Sequence, residues 1–150
     1  MSDILYTAEA VAQGGREGRI KSSDGVLDLA LAMPKELGGP GTAATNPEQL
    51  FAAGYAACFE SAIRFVARQQ RIQLQTLQVS ARVGIGKREA GGFQLAVTLT
   101  AAFSGLDGKQ AHALVNTAHE DICPYSHATR NNVPVTLVVT DAEGHPLSNG

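Results

Sequence analysis

The side chains in this sequence that could do chemistry are two thiols, four imidazoles and an arginine set among glycines. Two cysteines, Cys58 and Cys123, are too few for a cysteine-only zinc site, and their spacing is not Cys-x-x-Cys. In a reducing cytosol a structural disulfide is not expected. Either both thiols are inert core residues, as free cysteines often are, or they do redox chemistry as a pair. Cys58 falls about three turns into a helical segment, beyond the reach of the helix N-terminus. To be a thiolate at neutral pH it needs a cation beside it. Arg16 is the candidate, because the glycines of Gly14-Gly15-Arg16-Glu17-Gly18 allow a close approach. The alternative is a solvent-facing turn residue.

His119, Cys123 and His127 recur every four residues, a spacing that suits zinc ligands on one helix face. Pro124 ends the helix between the second and third, so the spacing loses its geometric meaning and no metal is expected. His112 and His145 read as surface residues. Gly38-Gly39-Pro40-Gly41 lacks the Lys-Ser/Thr ending of a phosphate loop and reads as a turn. There is no Gly-x-Ser-x-Gly and no dinucleotide fingerprint.

The elements that must position these residues follow from periodicity. Leu27, Leu29 and Leu31 alternate as in a strand, and Ile4, Tyr6 and Ala8 suggest an earlier one. Gly14-Gly15 and Asp24-Gly25 are turn signals. Residues 34–45 form a glycine- and proline-rich loop without regular structure. Thr45-Asn46-Pro47-Glu48 opens a helix with Pro47 in its first turn, Asn46 or Thr45 as cap, and Thr45 with Glu48 as a capping box. It is expected to run to about Gln70, since its periodicity persists that far. Leu50, Gly54, Cys58, Ala62 and Phe65, joined by Ala57 and Ser61, make a small-residue face expected to pack closely, with Arg64, Arg68 and Arg71 on the solvated side. Residues 77–103 alternate on both sides of Gly91-Gly92, which predicts an antiparallel hairpin. Asp107 caps a second helix to Asp121, buried through Ala111, Leu114, Val115, Ala118 and Ile122, and Cys123 sits at its exit. Val133 to Val139 is a last strand, and the tail after Asp141 is expected to be loose.

This order of elements implies an α+β class with antiparallel sheets packed on two main helices, in one domain over residues 1–150. Apolar residues make up 44 % of the chain and charged residues 17 %, which is globular composition. A net charge of −2 gives no electrostatic case for nucleic acid or an anionic membrane. No apolar run approaches the roughly 20 residues of a membrane span, and the N-terminus lacks a secretory pattern. A cytoplasmic location is the expectation.

The segment Asn46-Pro47-Glu48-Gln49-Leu50-Phe51-Ala52-Ala53-Gly54-Tyr55-Ala56-Ala57-Cys58-Phe59 resembles the signature of the organic hydroperoxide resistance proteins, a branch of the Ohr/OsmC family of thiol peroxidases. Gly14-Gly15-Arg16, Leu37-Gly38-Gly39-Pro40-Gly41, Cys123-Pro124-Tyr125-Ser126 and Ala128-Thr129-Arg130 agree with it in order and spacing. The likeness covers essentially the whole chain. It departs at His127, where the family usually has Asn, and at Asn131, where it usually has Gly. Both departures bear on the local loop and reductant docking.

The resemblance implies that Cys58 is the peroxidatic cysteine and Cys123 the resolving one. Arg16 would contact the peroxidatic sulfur and Glu48 would hold Arg16. An organic, alkyl or lipid, hydroperoxide would be reduced to its alcohol through a Cys58 sulfenic acid and a Cys58–Cys123 disulfide. Dihydrolipoamide on a lipoylated protein would be the external reductant, with no bound cofactor. Phe51, Tyr125, Leu37 and Phe59 are candidates for an apolar substrate lining. Glu48 and Cys58 would be about 15 Å apart along one continuous helix, which is far for one arginine to pair with both. Either the helix breaks between them, or Arg16 and Glu48 come from another subunit, as in the intertwined homodimer of the family. Two rivals remain: a non-enzymatic dimeric module that binds apolar ligands with Cys58 inert, and an OsmC-type enzyme of broader peroxide preference. A depressed thiol pKa would favour the enzyme, and a raised one the binding module.

Overall fold

The computed structural model describes residues 2–150. The chain divides into two compact units, one ending at Leu50 and one spanning Phe51–Gly150. The first holds a three-stranded antiparallel sheet of β1 (Ala10–Gln13), β2 (Arg19–Ser22) and β3 (Asp28–Ala30) in that order. The β1–β2 turn is formed by Gly14 and Gly15 at φ 82° and 59°, a region that glycine enters without steric cost. In the β2–β3 turn, Asp24 Oδ1 accepts from the Val26 N–H and the Ser22 hydroxyl, an Asx-type closure.

Two expectations change here. Residues 4–8 form no strand, and the first strand begins at Ala10. Alternation of Ile4, Tyr6 and Ala8 is too short a run to decide pairing, whereas β1 takes its hydrogen bonds from β2, a strand with no clear hydrophobic signature of its own. The 34–45 loop holds one short 3-10 turn, Lys35–Leu37, closed by Leu37 N–H on Pro34 O.

Helix α1 (Pro47–Gln69) starts as its sequence dictates. Asn46 Oδ1 accepts the Gln49 N–H and serves as the cap. The Thr45–Glu48 capping box does not form. Thr45 donates to the Gln49 side chain, and Glu48 is engaged by Arg16. The strength of a charged fork over a neutral cap accounts for the choice.

In the second unit, α1 buries Tyr55, Phe59, Ala62, Ile63, Val66 and Ala67. This corrects the expected inward face. Phe65 is exposed, as are Ala57 and Ser61, while Gly54 and Cys58 are half-buried. Bulky side chains won because they remove more apolar area from water than the small stripe does. Arg64, Arg68 and Arg71 face solvent as expected. At 23 residues, with a mean hydropathy of 1.3 over its most apolar window, α1 also meets the length and composition of a membrane span, contrary to the sequence expectation. It contributes Tyr55, Phe59, Ile63 and Val66 to a protein core.

Strands β4 (Thr76–Lys87) and β5 (Phe93–Ser104) form the expected antiparallel hairpin, in register from Thr76–Ser104 to Lys87–Phe93. Strand β6 (Val135–Asp141) joins β5 in parallel, so this sheet is mixed rather than purely antiparallel. Val97, Leu99, Ala101 and Phe103 of β5 meet α1 residues in the core together with Ala111, Leu114 and Val115 of α2 (Gly108–Thr117). Asp107 caps α2 by accepting the Gln110 N–H. The C-terminal tail is tied down, against expectation. Leu147 N–H donates to Val139 O, and the Leu147 carbonyl meets His112 Nε2 at 2.8 Å. His112 is therefore half-buried rather than a surface residue, whereas His145 is exposed beside Asp141.

Candidate active site

Each unit holds one half of the constellation expected from the sequence. In the first, the guanidinium of Arg16 donates from Nη1 to Glu48 Oε2 at 2.8 Å and from Nη2 to Oε1 at 2.7 Å. Arg16 lies in a tight 3-10 turn, Gly15–Glu17. A side chain at Gly18 would place a Cβ 1.7 Å from the Gln13 carbonyl, so only glycine permits this turn. Arg16 is thus no free turn residue. The fork holds the Glu48 carboxyl below its ordinary range, chiefly through the Arg16 hydrogen bonds.

In the second unit, α1 carries Cys58, and Cys123 follows α2 through one π-helical turn, Ala118–Ile122. Cys123 has φ −70° and ψ 117°, the extended geometry that a following proline demands. Pro124 then occupies the first position of a short helix that the sequence reading missed, α3 (Pro124–Thr129). The two thiols are free, with Sγ atoms 3.4 Å apart. The S–S bond of a disulfide is roughly 2.05 Å long. Cys123 is buried and Cys58 half-buried.

The Cys58 thiol is pushed up to about 11. Burial is the main cause. A backbone hydrogen bond from Tyr125 works the other way, and the Cys123 thiol adds to the rise. None of these is a cation. By the criterion set from the sequence, a raised value is what an inert thiol would show.

Phe51, Tyr55 and Tyr125 form an aromatic group over this stretch of α1, with Phe51 and Tyr125 rings 6.4 Å apart and Tyr55 and Tyr125 rings 5.7 Å apart. Tyr125 lies against Gly54, where an added Cβ would stand 2.9 Å from its hydroxyl. Tyr125 is 40 % exposed and Phe51 half-buried, whereas Phe59 is fully buried with its ring on that of His119. Leu37 belongs to the first unit and is partly exposed. Sequence reasoning did not find Tyr55, Ser126, Thr129 or Arg130 as partners of the thiol region. Their one available signal was their position inside the segments that carry the family resemblance.

Among the described residues, no cluster of His, Cys, Asp and Glu could hold a metal ion. His119 is instead engaged with Ser126, and His127 faces Arg130.

An α+β fold with two facing thiols on adjoining elements defines a dithiol protein. Residues 39–138 match the family model of OsmC-like proteins. The chain is 52 % identical over 137 residues to the organic hydroperoxide resistance protein of Xanthomonas axonopodis pv. citri, covering 91 % of this chain and 95 % of that one. It is 50 % identical over 146 residues to OhrA of Bacillus subtilis, covering 94 % and 100 %. A crystal structure of an organic hydroperoxide resistance protein from Legionella pneumophila superposes with a TM-score of 0.88 at 53 % identity, covering 93 % of this chain and all of that one. The chain belongs to the OsmC-like family, in its organic hydroperoxide resistance branch.

Proposed function

We propose that the protein is a cytoplasmic thiol peroxidase that reduces organic hydroperoxides. The observation that carries this reading is the 3.4 Å approach of two free thiols held on separate elements. In the first step the Cys58 thiolate attacks the distal oxygen of ROOH. The S–O bond forms, the O–O bond breaks, and RO⁻ takes a proton to leave as the alcohol. In the second, the Cys123 sulfur attacks the Cys58 sulfenic acid. The S–S bond forms, the S–O bond breaks, and hydroxide leaves as water with the Cys123 proton. A dithiol of lipoyl type reopens the disulfide by two exchanges and leaves as its cyclic disulfide.

The first step needs a cation at Cys58, because burial alone favours the thiol. In this reading Arg16 of the partner subunit supplies it in a homodimer, with Glu48 of that same partner holding the guanidinium. Two facts support the sharing. Arg16 and Glu48 pair within one chain, and α1 runs unbroken through positions 48 and 58. The second removes the broken-helix option. Guanidinium offers both charge for the thiolate and a fork of donors for the peroxide oxygens. Phe51 and Tyr125 line the apolar approach, and Phe59 backs it from the core. Such a surround suits alkyl peroxides over hydrogen peroxide.

The raised Cys58 pKa favours a second reading, a dimeric module that binds apolar ligands with an inert thiol. A free-thiol count with intact mass, before and after one equivalent of an organic hydroperoxide, separates the two. Loss of both thiols and of two hydrogens, without a crosslinked dimer on a non-reducing gel, supports the peroxidase. Survival of both thiols refutes it and leaves the binding module.

A further inference from the structure

Cys123 is spanned by a buried chain of hydroxyls that the two-thiol chemistry does not use. His119, in the π-helical turn before Cys123, meets Ser126, in the helix after it, through Nδ1 and Oγ at 2.8 Å. Ser126 Oγ meets the Tyr55 hydroxyl at 2.9 Å, and that hydroxyl meets Thr129 Oγ1 at 3.2 Å. Thr129 donates to the Tyr125 carbonyl at 3.0 Å. Each hydroxyl has one proton to give. Since Thr129 spends its own on a carbonyl, it accepts from Tyr55, Tyr55 accepts from Ser126, and Ser126 accepts from a His119 protonated at Nδ1. Every hydroxyl proton in the row then has an acceptor. Tyr55 and Ser126 are fully buried and Thr129 nearly so.

The chain also reaches the peroxidatic side. Tyr55 stands three residues before Cys58 on α1, and the His119 ring packs on Phe59, the residue just after it. A second tie closes the same span, with Arg130 Nη2 donating to the His119 carbonyl at 2.8 Å and the Glu120 carbonyl at 3.0 Å. These carbonyls lie at a helix end, where acceptors lack intrahelical partners. One set of bonds therefore holds the turn before Cys123, the helix after it, and the helix bearing Cys58.

We propose that the His119–Ser126–Tyr55 hydrogen-bond chain is the positioning device for the resolving step, holding Cys123 within reach of the oxidised Cys58 sulfur. These are positioning residues, since none hydrogen-bonds to either sulfur through its side chain. Breaking a link strands a buried polar group and loosens the Cys123 turn. The capture of the sulfenic acid then slows, while its formation, which needs only Cys58 and its cation, does not. This inference rests on the peroxidase reading above.

The test is a single-turnover reaction of the reduced full-length protein with an alkyl hydroperoxide, followed by acid quench and intact mass. Ser126→Ala and Tyr55→Phe should keep sulfenic acid formation within about twofold and slow disulfide formation about three- to tenfold, the loss expected for one buried hydrogen bond. At excess peroxide they should accumulate more Cys58 sulfinic acid than the wild type does. His119→Asn retains a donor near the position of Nδ1 and should resolve faster than His119→Leu. Circular dichroism and melting curves establish that each variant is folded. If folded Ser126→Ala and Tyr55→Phe both form the disulfide at the wild-type rate, the positioning role is wrong while the peroxidase reading stands. If the two steps fall by the same factor, the chain is a general structural tie and the proposal also fails. If the wild type forms neither sulfenic acid nor disulfide, the peroxidase reading itself has failed.

Discussion

Arg16 and Glu48, 32 residues apart in sequence, meet side-on through two hydrogen bonds of 2.8 and 2.7 Å. A fork of this kind fixes the plane and direction of a guanidinium that would otherwise sample many rotamers. The arrangement is partly open to solvent, so its contribution to stability is small, about 1 kcal/mol or less. Its value lies in orientation.

Glu48→Gln should therefore separate activity from stability. The melting temperature should barely move, while the rate of sulfenic acid formation at Cys58 should fall about tenfold or more, as for a lost orienting charge near a reacting group. The pH dependence follows from the depressed Glu48 pKa. A lowered carboxyl pKa stabilises the folded pair above the ordinary carboxylate range, and that contribution is lost as pH falls through the folded value. Stopped-flow rates should thus show an acid limb lying below the ordinary carboxylate range, absent in Glu48→Gln.

Cys58 ionisation offers the sharpest contrast with a single chain. Burial pushes its thiol up to about 11. In the assembled protein a neighbouring guanidinium should bring it below the ordinary thiol value of about 8.5. The pH dependence of alkylation should show that shift in the wild type and lose it in Arg16→Ala. A wild-type value that stays near 11 would count for the inert-thiol module.

Subunit sharing is open to complementation. Arg16→Ala and Cys58→Ser proteins are each expected to be inactive. Unfolded together and refolded, mixed dimers should regain one competent site of two. Absence of any recovered activity would place both functions within one chain.

Gly54→Ala probes the aromatic group over α1. Alanine favours a helix interior by about 1 kcal/mol, but its Cβ would meet the Tyr125 hydroxyl at 2.9 Å. Since Tyr125 is 40 % exposed, its ring can swing outward. The melting temperature should change little, while KM for bulky hydroperoxides should shift relative to that for tert-butyl hydroperoxide. Equal KM changes for both would argue against Tyr125 as part of the substrate lining.

Much of this molecule is written locally. The β4–β5 hairpin follows from period-two alternation around Gly91-Gly92, the start of α1 from Asn46 and Pro47, and the extended Cys123 from Pro124. The two cysteine motifs carry the candidate chemistry in the sequence itself. What the sequence could not decide depends on contacts between distant segments. Both the small-residue stripe and the Tyr55–Phe59–Ile63–Val66 row of α1 fit helical spacing, and only packing against β5 and α2 chose the bulky row for burial. The parallel pairing of β6 with β5, and the return of the tail onto Val139, are likewise choices of sheet order. Glu48 could cap its helix or hold an arginine, and the position of Arg16 settled it. The 3.4 Å approach of the thiols, and the hydroxyl chain from Thr129 to His119, exist because the tertiary fold lays the turn around Cys123 along α1. Periodicity fixes which side chains share a face. Which face meets which partner is set by the burial and hydrogen bonding of the whole chain.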